Sequence, residues 1–227
     1  MSLTFDPEAL PTVAMDAHLP AVAPSALRAH AVRERFRAPP TWAPEIAAER
    51  PFTDRATAHA SVLLLLVQRD ELMVLLTQCT QHLSDHPGQI SFPGGRAEPS
   101  DAHATATALR ETHEEIGLSA QQVEVLGELP TYTTGTRFIV TPVVALVRPP
   151  FDLRPDPFEV AEVFEVPLSF LMNPAHHRWH EVDMAGRPRR FLSMPSEGRD
   201  AQGQPRRYFV WGATAAMLRN FYRFLSA

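Results

Sequence analysis

The sequence predicts an α/β fold in which a mixed β-sheet is covered by helices. The chain has 227 residues, which suits one domain of ordinary size with additional arms. From residue 57 onward, most apolar segments are short enough to be strands. One longer segment rich in alanine and threonine, residues 100–116, lies among them and stops at Gly117. A helix placed between strands is typical of a sheet that packs against helices.

Composition and charge predict a globular protein with no affinity for nucleic acid or membranes. Hydrophobic residues make up 44% of the chain and charged residues 21%, and a net charge of −5 does not attract polyanions or acidic lipids. The longest apolar run, residues 61–67, is too short to span a bilayer, and the N-terminus lacks a basic secretory start. Cys79 is the only cysteine, so no intrachain disulfide can form. These features predict a cytoplasmic location.

Residues 1–50 are predicted to form an N-terminal arm with one helix, and residues 51–227 the main domain. Prolines interrupt the arm and prevent long regular elements there: Pro7, Pro11, Pro20, Pro24, Pro39, Pro40 and Pro44. Between them, Ser25–Phe36 has the pattern of a docked surface helix, with Ser25 as its N-cap.

The main domain opens with a predicted hairpin. Two apolar runs, Ala58–Gln68 and Glu71–Thr77, flank the polar pair Arg69-Asp70, as in a tight turn between strands. A polar, turn-forming stretch, His82–Ser91, leads to Phe92-Pro93-Gly94-Gly95. The two glycines leave the backbone free to approach phosphate oxygens closely.

The remaining elements continue the mixture of strands and helices. The helix at residues 100–116 is followed by predicted strands at Val123–Leu129, Phe138–Val147 and Phe158–Phe164, a short helix at Pro167–Leu171, a peripheral hairpin at Arg178–Met184 and Arg189–Met194, and a closing helix at Trp211–Phe224. No internal repeat is found in the sequence.

The most informative segment is Arg110-Glu-Thr-His-Glu-Glu-Ile-Gly-Leu118. In a helix, Glu111 and Glu115 lie one turn apart on the same face, with Glu114 beside them. Three carboxylates near a helix C-terminus repel one another and oppose the helix dipole. Mg²⁺ or Mn²⁺, which prefer hard oxygen ligands, would relieve this repulsion. The alternative interpretation is a solvated acidic helix end.

The helical arrangement leads to two further expectations. Without metal, at least one of the three glutamates should have a raised pKa, because each carboxylate disfavours the charge of the others. Arg110 should reach Glu114 at the i,i+4 spacing and hold it in place.

Residues Gly95–Leu118 resemble the signature box of the Nudix hydrolases. The positions that match are Arg110, Glu111, Glu114, Glu115, Gly117 and Leu118. Three features depart from the pattern: Asp101 stands in place of an early glutamate, Thr112 in place of an aliphatic residue, and one extra residue precedes Arg110. The resemblance implies an α/β/α sandwich with a mixed sheet and a catalytic loop-helix-loop.

The same resemblance implies an activity and a set of site residues. Water attacks one phosphorus of a diphosphate, with Mg²⁺ or Mn²⁺ held by Glu111, Glu114 and Glu115. Arg110 orients the glutamates, and the general base is either Glu114 or a residue of a distant loop, for which Glu162 is the candidate. The residues expected to contact substrate are Gly94, Gly95, Phe92 and His86.

A second resemblance concerns the segment before the box. Residues 75–95 are similar to a motif of coenzyme A pyrophosphatases, which also tend to carry the extra residue. Further similar segments are 140–144, 159–168 and 211–214. The motif has arginines where this chain has Cys79 and Ser84, and arginine is the side chain best suited to clamp phosphate. The similarity of residues 75–95 still makes coenzyme A or an acyl-CoA, split into 3′,5′-ADP and (acyl-)phosphopantetheine, the predicted substrate.

Two alternatives remain at this point. The first is hydrolysis of another nucleoside diphosphate derivative, such as ADP-ribose or a dinucleotide, and Cys79 and Ser84 favour it. The second is a non-catalytic module that only binds a nucleotide, which predicts loss of acidic residues that are in fact present. The sequence also leaves a homodimer open, because the arm and the peripheral hairpin are available for contacts.

Overall fold

The computed structural model describes residues 5–82, 87–184, 186–200 and 202–227. It contains an eight-stranded mixed sheet and a four-stranded antiparallel sheet. Helices pack on the eight-stranded sheet, as expected from the sequence. Its strands are β2 (Ala58–Gln68), β3 (Leu72–Cys79), β4 (Ile90–Ser91), β5 (Gly94–Arg96), β6 (Val123–Glu128), β7 (Tyr132–Thr133), β8 (Phe138–Val147) and β9 (Val160–Pro167).

The eight-stranded sheet has β2 at its centre. The backbone order is β4-β3-β2-β8-β6, while β5 pairs with β2, β7 with β8, and β9 with β3. The pair β2–β8 is parallel and the other pairs are antiparallel, so the sheet is mixed. The predicted hairpin of β2 and β3 is confirmed, with Gln68 opposite Leu72 across the turn.

The apolar run in β2 is continuous because both faces of this strand are covered. Leu64 and Leu66 belong to the larger core cluster, whereas Leu63, Leu65 and Val67 belong to a second cluster on the other face. Successive strand side chains point to opposite faces, so a strand buried on both sides needs apolar residues at every position.

Helix α2 (Ala104–Ile116) covers the face with the smaller cluster. Its buried side is formed by Ala108, Thr112 and Ile116. The helix ends where predicted, because Gly117 adopts a left-handed φ of 72°. It begins at residue 104 and not at residue 100. The preceding segment is instead a loop in which the Asp101 N–H donates to the Glu98 carbonyl, and this loop accommodates the extra residue.

The second sheet contains β1 (Thr12–Met15), β10 (Arg178–Asp183), β11 (Pro188–Arg199) and β12 (Pro205–Trp211), in that order. The predicted hairpin of β10 and β11 is present, but β11 continues to Arg199 and pairs with β12. Neither β12 nor β1 was expected. The strand β1 has four residues and lies between the prolines of the N-terminal arm.

The helix of the N-terminal arm, α1, spans Ala29–Arg37. The predicted start at Ser25 is wrong. Ser25 lies in a turn closed by backbone hydrogen bonds from Ala26 to Ala23 and from Leu27 to Pro24, and Arg28 occupies the N-cap without a side-chain bond. Val32 is fully buried, so the helix is docked on the core, as expected. The boundary at residue 50 stays a prediction.

Helix α4 (Gly212–Ser226) packs in the larger core cluster, on the opposite side of the main sheet from α2. The short helix α3 (Leu168–Leu171) precedes the second sheet. Arg219 of α4 is 1% exposed and forms ion pairs with Asp16 at 3.1 Å and Glu45 at 2.8 Å. The N-terminal arm is therefore joined to the C-terminal helix by ion pairs to a buried arginine. No helix in the described part of the chain is long and apolar enough to cross a membrane.

Candidate active site

Helix α2 directs its last two turns toward β5. Glu111 and Glu115 are half-buried and Glu114 is exposed, while the opposite side of the helix faces the core. The N–H of Gly94 donates a hydrogen bond of 3.3 Å to Glu115 Oε2. The structure therefore brings the predicted glutamates and the predicted glycine segment together.

Glycine is required at positions 94 and 95 because atoms of other residues lie where a Cβ would be. A Cβ added at Gly95 would overlap the Glu111 carboxylate, at 2.6 Å from its Cδ. Gly94 has a φ of 147°, and a Cβ there would collide with the carbonyl oxygen of Ser61 and lie 2.6 Å from the Cα of Val62. Any larger residue at either position would displace the carboxylate or the strand.

The electrostatics of the site disfavour negative charge. Burial raises the pKa of Glu115 to about 8, and the charges of Glu111, Glu159 and Glu114 add to this effect, against the Gly94 hydrogen bond, which lowers it. Burial also raises the pKa of Glu111, although Arg110 opposes that shift. The direction is the one expected, but burial and not the mutual repulsion of the carboxylates is the larger cause.

Arg110 contacts several acids around the end of α2. Its Nε and Nη2 donate to the two oxygens of Asp101, at 3.0 Å and 2.9 Å. Its Nη1 donates to Glu114 at 2.8 Å, which is the predicted i,i+4 contact, and lies 3.0 Å from Glu111. Arg96 contributes its carbonyl oxygen at 3.0 Å. The guanidinium is thus fixed between the loop before α2 and the acids on the helix.

Asp101 is a residue whose role the sequence did not reveal. It accepts bonds from Arg110 and from the Thr107 hydroxyl, and the Arg110 guanidinium holds the pKa of this carboxyl well below its usual range. The Glu98 N–H also donates to it, at 2.9 Å. The departure from the family pattern at this position therefore supplies a carboxylate that positions Arg110.

Thr112, the second departure, is compatible with a buried position. The residue is 1% exposed, and its hydroxyl donates to the Ala108 carbonyl at 2.6 Å. A buried hydroxyl bonded to the preceding helical turn carries no unsatisfied donor.

Glu159 is a second acid that the sequence analysis did not place in the site. It lies on the exposed loop before β9, and its charge contributes to the raised pKa values of both Glu111 and Glu115. The loop is fixed to α2, because the Asp156 N–H donates to the Glu115 carbonyl at 2.8 Å. The sequence predicted a strand at Phe158–Phe164 that includes Glu159, whereas the strand begins at Val160.

Glu162, in contrast, is not brought together with the glutamates of α2. It accepts hydrogen bonds from Arg206 at 2.6 Å and from the Tyr208 hydroxyl at 2.7 Å. Phe164, two residues further along β9 and so on the same face, stacks on Tyr208 in the larger core cluster. Val163 faces the cluster beneath α2. The Glu162 carboxylate thus points toward β12. Its predicted catalytic role stays a prediction.

The other residues expected to contact substrate have different surroundings. Phe92 is 1% exposed and belongs to the larger core cluster, so its side chain presents no open surface. His86 and Ser84 lie outside the described residues. Cys79 is half-buried at the end of β3, and burial raises the pKa of its thiol, with smaller contributions from Glu115 and Glu159.

Three arginines of the second sheet, Arg189, Arg190 and Arg206, have partners away from the glutamates of α2. Arg189 donates to the carbonyls of Arg50 and Pro51, while Arg190 pairs with Glu181 at 3.2 Å. Arg206 binds Glu162 and Gln78. None of these contacts involves the glutamates of α2.

The donor set fits a hard divalent cation in its chemistry. Glu111, Glu114, Glu115 and Glu159 all supply carboxylate oxygens, which Mg²⁺ and Mn²⁺ prefer. Among the described residues, however, no three His, Cys, Asp or Glu side chains already form a group that can hold a metal ion. Glu114 is turned to Arg110 and Glu115 to Gly94. A metal site here requires side-chain rotation.

These features define a NUDIX domain: a mixed sheet between helices, and a helix that presents acids to a glycine-containing strand. Residues 57–185, more than half of the chain, match the NUDIX domain. The chain is 40% identical over 164 residues to a protein of Enterobacter sp. (strain 638) described as "Uncharacterized Nudix hydrolase NudL", covering 71% of this chain and 79% of that protein. A protein with the same description from Escherichia coli (strain K12) is 39% identical over 176 residues, covering 75% and 85%.

Among solved structures, a Nudix hydrolase from M. smegmatis matches with a TM-score of 0.43 and 27% identity, over 52% of this chain and 76% of that chain. The chain belongs to the Nudix family. It is a Nudix pyrophosphohydrolase with the family's α/β/α sandwich, and hydrolases of this family generally use divalent metal ions.

Proposed function

We propose that this protein hydrolyses the diphosphate linkage of coenzyme A or an acyl-CoA, producing 3′,5′-ADP and (acyl-)phosphopantetheine. One structural observation carries the hydrolytic part of the proposal: Glu115 accepts a hydrogen bond from the Gly94 N–H, and the Glu111 carboxylate lies where a side chain at position 95 would begin. This arrangement places two acidic side chains against the backbone of one short strand.

Mg²⁺ or Mn²⁺ would be held by Glu111, Glu114 and Glu115. When bound, the metal neutralises charge on phosphate oxygens and lowers the pKa of the attacking water. The raised pKa of Glu115 supports its assignment as a ligand, because a buried carboxylate that is costly to ionise alone is stabilised by a nearby cation.

The protein residues have distinct tasks. Arg110, held by Asp101, keeps Glu114 and Glu111 in place and does not contact substrate. Gly95 leaves room for the Glu111 carboxylate, and the Gly94 N–H binds Glu115. A carboxylate that accepts the proton from water must lie within hydrogen-bond reach of it, directly or through one further water.

We favour Glu159 as the base, with Glu114 as the alternative. Glu159 is exposed and its charge acts on both Glu111 and Glu115. Glu114 Oε2 is already occupied by the hydrogen bond from Arg110, at 2.8 Å. Glu162 is engaged by Arg206 and Tyr208.

The choice of coenzyme A rests on the similarity of residues 75–95 to the motif of coenzyme A pyrophosphatases. A second substrate class, ADP-ribose or a dinucleotide, is favoured by the surroundings of Cys79. This position carries an arginine in the motif, but here it is a half-buried thiol near Glu115 and Glu159. The thiol of Cys79 supplies no positive charge of its own to a phosphate group.

The test is product analysis by liquid chromatography. Purified protein with Mg²⁺ or Mn²⁺ is offered coenzyme A, ADP-ribose, NADH and a diadenosine polyphosphate. Release of 3′,5′-ADP from coenzyme A alone supports the proposal, and cleavage of another compound in its place supports the second class. Glu115→Gln should abolish the products, whereas Glu165→Gln, in an exposed ion pair with Arg69, should leave them unchanged. Equal product from the wild type and Glu115→Gln would contradict hydrolysis at this site.

A further inference from the structure

A cavity of about 570 Å³ opens where the second sheet meets α3 and the end of β9. Pro167, in its lining, is the last residue of β9, whereas Glu159 precedes the first residue of that strand. At about 3.3 Å per residue, the strand carries the chain about 23 Å from the loop that contacts α2. The charged and aromatic residues of the lining are Phe170, His176, Arg178, Glu197 and Arg207.

Strand pairing places two arginines and one acid of this lining on the same face of the second sheet. Arg178 of β10 is opposite Ser193 of β11, and Glu197, four residues further along β11, is opposite Arg207 of β12. Paired residues, and residues an even number of positions apart on one strand, share a face of a sheet. Arg178 and Arg207 therefore reach the cavity from two strands of one sheet face.

One nitrogen of Arg178 lacks a hydrogen bond. Its Nε is buried without a partner, and it is the single buried side-chain nitrogen or oxygen in this state within the part of the chain that the structure describes. Such groups are rare in folded proteins, and they cost free energy, more so when the group is charged. A rotation of this side chain toward the cavity that it lines would bring Nε to the oxygen of a bound anion.

Arg207 already pairs with an acid that belongs to the N-terminal arm. Its Nη1 lies 3.4 Å from Glu8 Oε1, and both side chains are partly exposed, at 43% and 46%. An exposed pair of this kind is weak, so an anion in the cavity can take the place of Glu8. Glu197 is exposed to solvent and is the one acid in the lining, against two arginines.

His176 adds a polar group to the lining and no positive charge. Burial lowers its pKa, and the charge of Arg178 adds to the effect, so the ring is neutral at pH 7. The Phe170 ring stacks on it, with 4.0 Å between the ring centroids and 16° between the planes. The imidazole is thus held at the cavity, where a ring N–H can donate to an anion.

We infer that this cavity binds the phosphate group of a small molecule, with Arg178 and Arg207 as its cationic contacts and Glu8 as the group that it displaces. Arginine presents a planar set of donors that matches phosphate oxygens. A phosphate can give separate oxygens to two arginines from different strands, which suits it better than a carboxylate. The site lies apart from the acids of α2 and does not depend on the proposed function.

The experiment titrates inorganic phosphate calorimetrically into the full chain, in EDTA and at constant ionic strength. The wild type should bind phosphate, and Arg178→Met should bind it at least about tenfold more weakly, because hydrogen bonds to a charged group are lost. Glu8→Gln should bind phosphate about threefold more tightly, because Arg207 is then free of its carboxylate partner. Acetate should bind the wild type about tenfold more weakly than phosphate does.

Arg190→Met is the matched control. Arg190 also lies on the second sheet, but its side chain pairs with Glu181 at 3.2 Å and takes no part in the cavity. This variant should bind phosphate as the wild type does. Thermal unfolding shows which variants are folded. Glu8→Gln alters an exposed side chain, so it tests the inference even if Arg178→Met does not fold.

Three outcomes would overturn the inference: no phosphate binding in the wild type and Glu8→Gln, equal affinity in the wild type and folded Arg178→Met, or acetate binding as tight as phosphate binding. The measurement uses neither metal nor a diphosphate substrate. A failure to hydrolyse coenzyme A would therefore leave this inference standing, and a failure to bind phosphate here would leave the proposed function standing.

Discussion

Arg110 and Asp101 form a two-point ion pair, with Nε and Nη2 of the arginine donating to separate oxygens of the aspartate at 3.0 Å and 2.9 Å. The same guanidinium reaches Glu114 at 2.8 Å and Glu111 at 3.0 Å. Asp101, in the loop before α2, therefore fixes the position of the Arg110 guanidinium. That guanidinium in turn holds two acidic side chains of the helix.

The first prediction concerns this pair. Asp101→Asn keeps the size of the side chain but removes its charge and half of its acceptor capacity, so Arg110 should become mobile. We expect kcat to fall about tenfold with a smaller change in KM, because the acids lose their alignment. Steady-state kinetics measure both constants. Glu165→Gln breaks a comparable two-point pair with Arg69 on the surface and should leave kcat unchanged; equal losses in both variants would argue against a positioning role.

The second prediction tests the contact between Gly95 and Glu111. Gly95→Ala places a methyl group against the Glu111 carboxylate, which should lower the free energy of unfolding by about 1–3 kcal/mol and remove activity. Adding Glu111→Ala to Gly95→Ala should restore the stability without the activity. Urea unfolding of the four proteins gives the coupling energy. Purely additive losses would mean that the two residues do not meet.

The third prediction separates stability from function at Glu115. Its buried carboxylate has a pKa of about 8, so ionising it costs folding free energy. In EDTA at pH 9, Glu115→Gln should therefore unfold at a higher temperature than the wild type, by a few degrees for about 1 kcal/mol. Its hydrolytic activity should be at least about 100-fold lower. A lower unfolding temperature for this variant would show that ionising Glu115 does not cost folding free energy.

The fourth prediction concerns His177, which is fully buried beside Arg219. Burial lowers the pKa of His177 to about 4, with Arg219 adding to the effect. Between pH 6.5 and 4 the unfolded state binds the proton and the folded state does not, so stability falls as the pH is lowered through this range. From pH 7.5 to pH 5, the titration of His177 should lower the free energy of unfolding by about 2 kcal/mol.

His177→Gln provides the comparison, because it removes the titrating group. The difference in the free energy of unfolding between the wild type and His177→Gln should be about 2 kcal/mol smaller at pH 5 than at pH 7.5. Chemical denaturation at the two pH values measures the difference. A deficit that stays constant would mean that His177 does not titrate in this range.

Local sequence patterns determined the elements that build the catalytic part of the fold. The continuous apolar residues of β2 and β8 predicted strands with matching bounds, because a strand buried on both faces tolerates few polar residues. Gly117 ended α2 at the predicted residue, since a left-handed C-cap favours glycine. The spacing of Glu111 and Glu115 likewise followed from helical periodicity alone.

Contacts between residues distant in sequence were decided only by the tertiary structure. The loop before β9 meets the C-terminal end of α2 through the Asp156–Glu115 hydrogen bond, which places Glu159 near the other acids. Glu162, three residues later, faces Arg206 and Tyr208 on β12, a strand that the sequence did not predict. Periodicity describes which side of an element a residue occupies, but strand pairing decides what lies on that side. The sequence by itself therefore determined the acidic helix and its family, and the packing of sheets and loops decided which further residues join it.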